Sequence, residues 1–365
     1  MTIALIFLVT LLLAAANGAN DNIKGAATLI GSGLVRYRTA IILATLATAL
    51  GGVASIYLAN GLLAAFSGKG IVPDATTISP TFLLSVGLAA AGTVWAATRF
   101  GLPISTTHAL LGGLVGAGFA AVPENVHLQV LLKAMLLPLL LSPLLALLLA
   151  LAAIPLLRRA RSHAGARAPC VCLELPVALA SESSLVMVAA SVTVGLADDA
   201  ACAPASGRTS YVADGVAWVD RLHFLSAAAV SFARGLNDTP KIAALMVASG
   251  ALGAGGASLA VVVAMALGGW LAAARVADTL AFRVTRMDAG EGLGANLVTS
   301  TLVIAASRFG LPVSTTHVST GALFGVAAEN GSGHASVIRS ILLAWLATVP
   351  LAALLAYVTR TILID

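Results

Sequence analysis

Arg99-Phe100-Gly101-Leu102-Pro103-Ile104-Ser105-Thr106-Thr107-His108 occurs twice in this chain. It returns as Arg308-Phe309-Gly310-Leu311-Pro312-Val313-Ser314-Thr315-Thr316-His317, identical at nine of ten positions. A second pair precedes it in each half. Gly18-Ala19-Asn20-Asp21-Asn22-Ile23-Lys24 returns as Gly235-Leu236-Asn237-Asp238-Thr239-Pro240-Lys241. Both pairs keep their order, so the chain holds a duplicated half rather than a chance motif.

The ground around these motifs is apolar. Of 365 residues, 59% are hydrophobic and 10% charged, where a soluble domain carries about 25% charged residues. Glycine is abundant, at 35 residues, as in membrane helices. The class is an all-α polytopic membrane protein. A net charge of +5 does not point to nucleic acid, because the basic residues flank apolar spans, where membrane topology puts them. Cys170, Cys172 and Cys202 all fall in the central segment and complete no metal pattern. Residues 1–16 look like a signal-peptide core but lack a basic start, so they read as a retained helix.

Residues 2–34 are apolar with a break at Asn17–Asp21. One helix of that length would reach about 50 Å against a hydrocarbon core of roughly 30 Å, so a broken or re-entrant helix is expected. Spans follow at residues 39–66, 80–98 and 126–157, with Gly101-Leu102-Pro103 interrupting before a helix at 105–122. The second half repeats this plan: an Asn-Asp break inside 222–250, spans at 258–274 and 290–306, Gly310-Leu311-Pro312, a helix at 314–328 and a span at 337–363. Residues 275–288 read as a charged loop. The division is residues 1–157 as the first repeat, 158–221 as an extramembrane linker with a little β-structure, and 222–365 as the second repeat.

Loop charges set the orientation. Arg36 and Arg38 follow the first broken element, whereas residues 250–256 in the second half are uncharged. After the next span the bias flips, from Lys69 alone to Arg275, Arg283 and Arg286. Basic loops face the cytoplasm, so the halves are expected to insert in opposite senses. That requires an odd number of crossings each, and ten to twelve membrane segments in all. Inverted-topology repeats with interruptions in matching places are the signature of secondary transporters, with the substrate site near the midplane.

The chemistry at the interruptions supports an anion. Asp21 and Asp238 stand inside apolar segments, where a carboxylate is costly and points to function; capping a resumed helix is the plainer reading. Asn20 and Asn237 add neutral donors and acceptors. Lys24 and Lys241 follow each Asp at helical spacing, as ion-pair partners or as a positive field for an anion. Ser105-Thr106-Thr107 and Ser314-Thr315-Thr316 open helices, whose free N–H groups and hydroxyls make anion sites. Two such starts from opposite directions surround a tetrahedral oxyanion. His108 and His317 brace the half-helices or take part in proton balance, and Arg99 and Arg308 guard a path or mark helix ends. A Ser-His hydrolase is disfavoured because no Gly-x-Ser-x-Gly elbow is present. Two carboxylates and an anion do not share a low-dielectric cavity unpaired. Cations therefore enter with the anion, or the carboxylates are protonated, which is the basis for symport with Na⁺ or H⁺.

The paired Gly-x-Asn-Asp and Gly-Leu-Pro-x-Ser-Thr-Thr-His motifs resemble the inorganic phosphate transporter (PiT, or phosphate permease) family. The resemblance covers both halves and excludes the linker. It implies a multi-pass carrier of the cell membrane, plasma or inner, with inorganic phosphate as substrate, Na⁺ or H⁺ as driver, no organic cofactor and no enzyme activity. A homodimer is compatible with it. It implies phosphate contacts from Asn20, Asp21, Ser105, Thr106, Thr107, Asn237, Asp238, Ser314, Thr315 and Thr316, with Asp21 and Asp238 also serving Na⁺. Many relatives carry a small residue and Asn after the Asp. Here Lys24 and Lys241 sit near that place, which leaves the coupling ion open. A sulfate or other oxyanion symporter and a passive anion channel are the alternatives.

Overall fold

The computed structural model describes residues 2–68, 70–165, 169–173, 192–196 and 217–363. Lys69, Cys202 and most of the expected linker lie outside the described residues. Ten long helices run in order among those described: α1 (Thr2–Asp21), α2 (Tyr37–Leu58), α3 (Pro80–Arg99), α4 (Thr106–Ala121), α5 (Leu137–Gly165), α6 (Ala217–Ala248), α7 (Ala254–Ala272), α8 (Ala289–Arg308), α9 (Thr315–Asn330) and α10 (Ala335–Ile362). Five precede the linker and five follow it. Helix α5 carries past residue 157 and α6 begins before 222. Between them, Pro169–Leu173 pairs antiparallel with Val192–Leu196.

The repeated decapeptide is a helix stop followed at once by a helix start. Gly101 and Gly310 adopt φ of 68° and 67°, the left-handed conformation that glycine takes without strain. The next N–H folds back: Leu102 N donates to Ala97 O at 3.0 Å, and Leu311 N to Ala306 O at 2.8 Å. This closes the helix end in the Schellman manner. Pro103 and Pro312 then forbid continuation. Ser105 and Ser314 cap the new helices, accepting the N–H of His108 at 3.0 Å and of His317 at 3.2 Å.

The Asn-Asp stretches behave differently from expectation. Helix α1 does not break at Asn17; it runs through Asn20 and ends at Asp21. Residues 22–26 turn before a short helix at Ala27–Gly31. Helix α6 does not break at all. Its 32 residues, with Pro240 inside, span about 48 Å. Neither Asp therefore caps a resumed helix. The physical reason is tertiary: Asn237 and Asp238 find partners on other helices, so their polarity does not have to be met by ending the helix. Residues 275–288 are likewise not a plain loop. A helix at Ala274–Asp278 continues into a π-helical turn at Thr279–Arg283, burying Val276, Leu280 and Ala281. That turn packs on Ala27–Gly31, because the charges alternate with an apolar side.

Helix packing repeats between halves with partners exchanged. Helix α1 packs on α7 as α6 packs on α2; α4 packs on α10 as α9 packs on α5; α1 meets α3 as α6 meets α8. Small residues allow the close approaches. A side chain at Gly18 would strike the Met265 carbonyl and one at Gly268 the Ala15 carbonyl, while Gly235 faces the Thr48 carbonyl and Gly51 that of Phe232. Close backbone contact through small residues is how helices associate in lipid. The outward faces stay apolar, as at Leu8, Leu46, Leu50, Leu144, Leu267 and Leu346. Among the described residues, six helices are long and apolar enough to cross a membrane by length and composition: α1, α2, α3, residues 128–160 (which include most of α5), α7 and α10. Helices α4 and α9, 16 residues each, reach only about 24 Å.

Candidate functional site

Helices α4 and α9 begin inside the protein, because the Gly-Leu-Pro stop delivers the chain there. Ser105, Thr106 and Thr107 are buried, as are Ser314, Thr315 and Thr316. The first intrahelical bonds are Ala109 N to Ser105 O and Val318 N to Ser314 O, both 3.0 Å. The amides of 106, 107, 315 and 316 therefore lie ahead of the ladder, as helix-start donors do. The two starts touch. Thr316 Oγ1 donates to the Ile104 carbonyl at 2.7 Å, and Thr107 Oγ1 to the Val313 carbonyl at 3.5 Å.

The Asn-Asp-x-x-Lys segments lie against these starts. Asn20 donates to the Leu102 carbonyl at 3.0 Å and to Thr98 Oγ1 at 2.9 Å, and accepts the Ile104 N–H at 3.1 Å. Asn237 donates to the Val313 carbonyl at 3.2 Å and accepts from Ser307 at 3.2 Å. The asparagines thus splint each interruption. Lys24 pairs with Asp21 and crosses to Thr316 of the other half. Lys241 lies 3.8 Å from Asp238 and crosses to Thr107 at 2.9 Å. Thr315 Oγ1 donates to Asp238 at 3.3 Å. Every residue expected at the site is drawn into one cluster, with Ser105 and Ser314 engaged as caps.

Two members were not foreseen. Asn17 sends its amide to Asp21 at 3.1 Å, to Thr106 at 3.0 Å and to Asp238 at 3.4 Å. One amide thereby bridges the carboxylates of both halves. Arg234 donates to Asn17 Oδ1 at 2.5 Å and to Asn22 Oδ1 at 2.9 Å, with its Nε 3.7 Å from Asp238. Arg234 and Asn17 each stand three residues before the Asn of an Asn-Asp pair. Repeat alignment around the motif, rather than within it, would have exposed them.

Charge decides what this cluster attracts. Asp21, Lys24, Arg234, Asp238 and Lys241 are 1%, 4%, 1%, 2% and 1% exposed. Three cations face two carboxylates, Arg234 and Lys241 sharing Asp238, so the ionised cluster carries one net positive charge in a low-dielectric surround, where such interactions are strong. Helix-start amides and hydroxyls add donors. The set suits an oxyanion.

The histidines brace the joint. The rings of His108 and His317 lie 4.3 Å apart, and His317 stacks at 3.9 Å on Trp345. Trp345 Nε1 donates to the Pro103 carbonyl at 3.0 Å. Arg99 and Arg308 are exposed and close α3 and α8 outside the cluster. Arg99 and Arg275 line a cavity of about 330 Å³ that reaches Thr98, the hydroxyl that holds Asn20.

Interrupted helices bring hydroxyls, amides and surplus positive charge to one buried point of a helical bundle with apolar outer faces. The chain matches the phosphate transporter family over residues 17–356 and belongs to it. It is 27% identical over 409 aligned positions to inorganic phosphate transporter 2-1, chloroplastic, of Arabidopsis thaliana, covering 93% of this chain and 68% of that protein. Its fold is similar to that of a solved sodium-dependent phosphate transporter, with a TM-score of 0.78, 22% identity, and coverage of 99% of this chain and 98% of the other.

Proposed function

We propose that this protein is a secondary active transporter of the cell membrane, carrying inorganic phosphate by alternating access around the cluster at the two Ser-Thr-Thr starts. The observation that carries this reading is the convergence of two buried helix starts, one from each half, on a cluster with one more cation than carboxylate. Phosphate would lie among Thr106, Thr107, Thr315 and Thr316 and their amides, with the Asp, Asn and Lys side chains around it. In the structure these groups bond to one another, so the anion would enter by displacing the contacts between halves.

Residues 1–157 and 222–365 act as two repeats of opposite orientation, joined by a cytoplasmic linker at 158–221. The exchanged packing partners and the loop charges support this. Residue type favours phosphate over sulfate. A phosphate hydroxyl can donate to Asp21 or Asp238, whereas sulfate, without a proton at neutral pH, meets the same carboxylates as an acceptor facing acceptors. Coupling to Na⁺ or H⁺ fits the family, and a purely passive pore fits the two buried carboxylates less well.

The test is labelled-phosphate uptake by proteoliposomes under imposed Na⁺ or pH gradients, with sulfate as competitor. Concentrative uptake that phosphate blocks and sulfate does not is expected. Uptake that never exceeds equilibrium would favour a channel, and equal block by sulfate a general oxyanion carrier.

A further inference from the structure

Both lysines sit in nests of oxygen. Around Lys24 Nζ are Asp21 Oδ1 and Thr316 Oγ1, with Asn20 Oδ1 and the Ile104 carbonyl each at 3.3 Å. Around Lys241 Nζ are the Val313 carbonyl at 2.6 Å, Thr107 Oγ1 at 2.9 Å and Asp238 Oδ1 at 3.8 Å. Carboxylate, backbone carbonyl and hydroxyl oxygens are the ligands that hard metal cations take. An ammonium group carries the same single charge as an alkali ion and offers three donors to such a cage.

We infer that Lys24 and Lys241 are resident cations that occupy the two sites a coupling metal ion would need, so that phosphate movement by this chain does not depend on sodium. The inference rests on the phosphate-carrier reading for its uptake arm only. Three features carry it. The cages repeat: each holds an Asp oxygen from its own half, a Thr hydroxyl from the opposite half, and the carbonyl just before a Ser-Thr-Thr start. The charge is already supplied, because Lys24, Lys241 and Arg234 outnumber Asp21 and Asp238. Sodium ions added beside them would enter a buried site already in positive excess, where like charges repel. Finally, each lysine joins the two halves, which gives the bound cation a mechanical role. A tethered ammonium keeps that role in every cycle, whereas a sodium ion leaves with the cargo.

The fold of this chain resembles that of a sodium-dependent phosphate transporter, which makes the difference measurable. The full chain is reconstituted, and phosphate uptake is compared in sodium chloride and in choline chloride at equal pH and ionic strength. Coupled ligands typically change each other's affinity by about 5–150-fold; here the expected factor is close to one. In parallel, radioactive sodium binding is measured on the purified protein without phosphate. Wild type is expected to bind none, and Lys24→Asn combined with Lys241→Asn, which empties both cages, is expected to bind sodium saturably. Sodium binding by wild type, or uptake that collapses in choline, would overturn the inference. So would a folded double variant that binds no sodium. Should the double variant fail to fold, wild-type binding decides alone. Absence of phosphate uptake under every gradient would instead remove the carrier reading, and the binding arm would still report on the lysines.

Discussion

The two halves share a design and differ at one position that matters. In the first half the residue three places before Asn20 is Asn17; in the second half the residue three places before Asn237 is Arg234. The two meet at the centre, with the Arg234 guanidinium donating to Asn17. The shared parts build a near-symmetric frame of lysine, threonine and carbonyl contacts. The unshared pair supplies the surplus charge and lets one amide touch both carboxylates. Duplication therefore explains the shape of the site, and its departure from duplication explains the sign of its field. The helices differ too. Helix α1 ends at Asp21, while α6 continues through Asp238, so the second carboxylate sits inside an unbroken helix.

The largest effect is expected from making the halves alike. Arg234→Asn removes the surplus cation and a partner of Asp238. Breaking a buried pair costs about 3–5 kcal/mol of stability, so the thermal midpoint should fall most in this variant, and the lost positive charge should raise the phosphate concentration that half-saturates uptake. Next come the carboxylates. Asp238 faces Arg234 and Lys241, whereas Asp21 pairs with Lys24. Asp238→Asn should therefore abolish concentrative uptake, and Asp21→Asn should reduce it less, with both proteins monodisperse on size exclusion. Equal loss would mean that the asymmetry is without consequence. Smaller effects belong to the lysine contacts across halves. Thr107→Val and Thr316→Val each remove a bond to a charged group, worth about 1.5–3 kcal/mol, and should weaken uptake by similar factors if the frame is symmetric. The smallest are the caps. Ser105→Ala and Ser314→Ala should each lower stability by about 1 kcal/mol, seen as a modest drop in thermal midpoint with uptake retained.

The interruptions were legible because their chemistry is local. Gly101 and Gly310 need a left-handed backbone, proline forbids continuation, and serine caps within three residues. The pairing of each Asp with its Lys was legible for the same reason. What escaped was set by distant parts of the chain. Asn17 and Arg234 reveal themselves only when α1 and α6 touch. The Asn237-Asp238 pair suggested a break, yet α6 runs on. The missing proline N–H costs one bond, while from the unbroken helix Asn237, Asp238 and Lys241 reach Val313, Thr315 at the start of α9 and Thr107 at the start of α4. Residues 275–288 looked like a charged loop because their charges hid Val276 and Leu280, which pack in one buried cluster with Ala27 of the first half.

The most direct test of the central claim is a crystallographic anomalous map of the protein with arsenate, a tetrahedral analogue of phosphate with a strong scatterer. A single peak between Thr106-Thr107 and Thr315-Thr316, within hydrogen-bond reach of both helix starts, is the expected result. A peak elsewhere on the protein, with these two starts still bonded to each other, would contradict it.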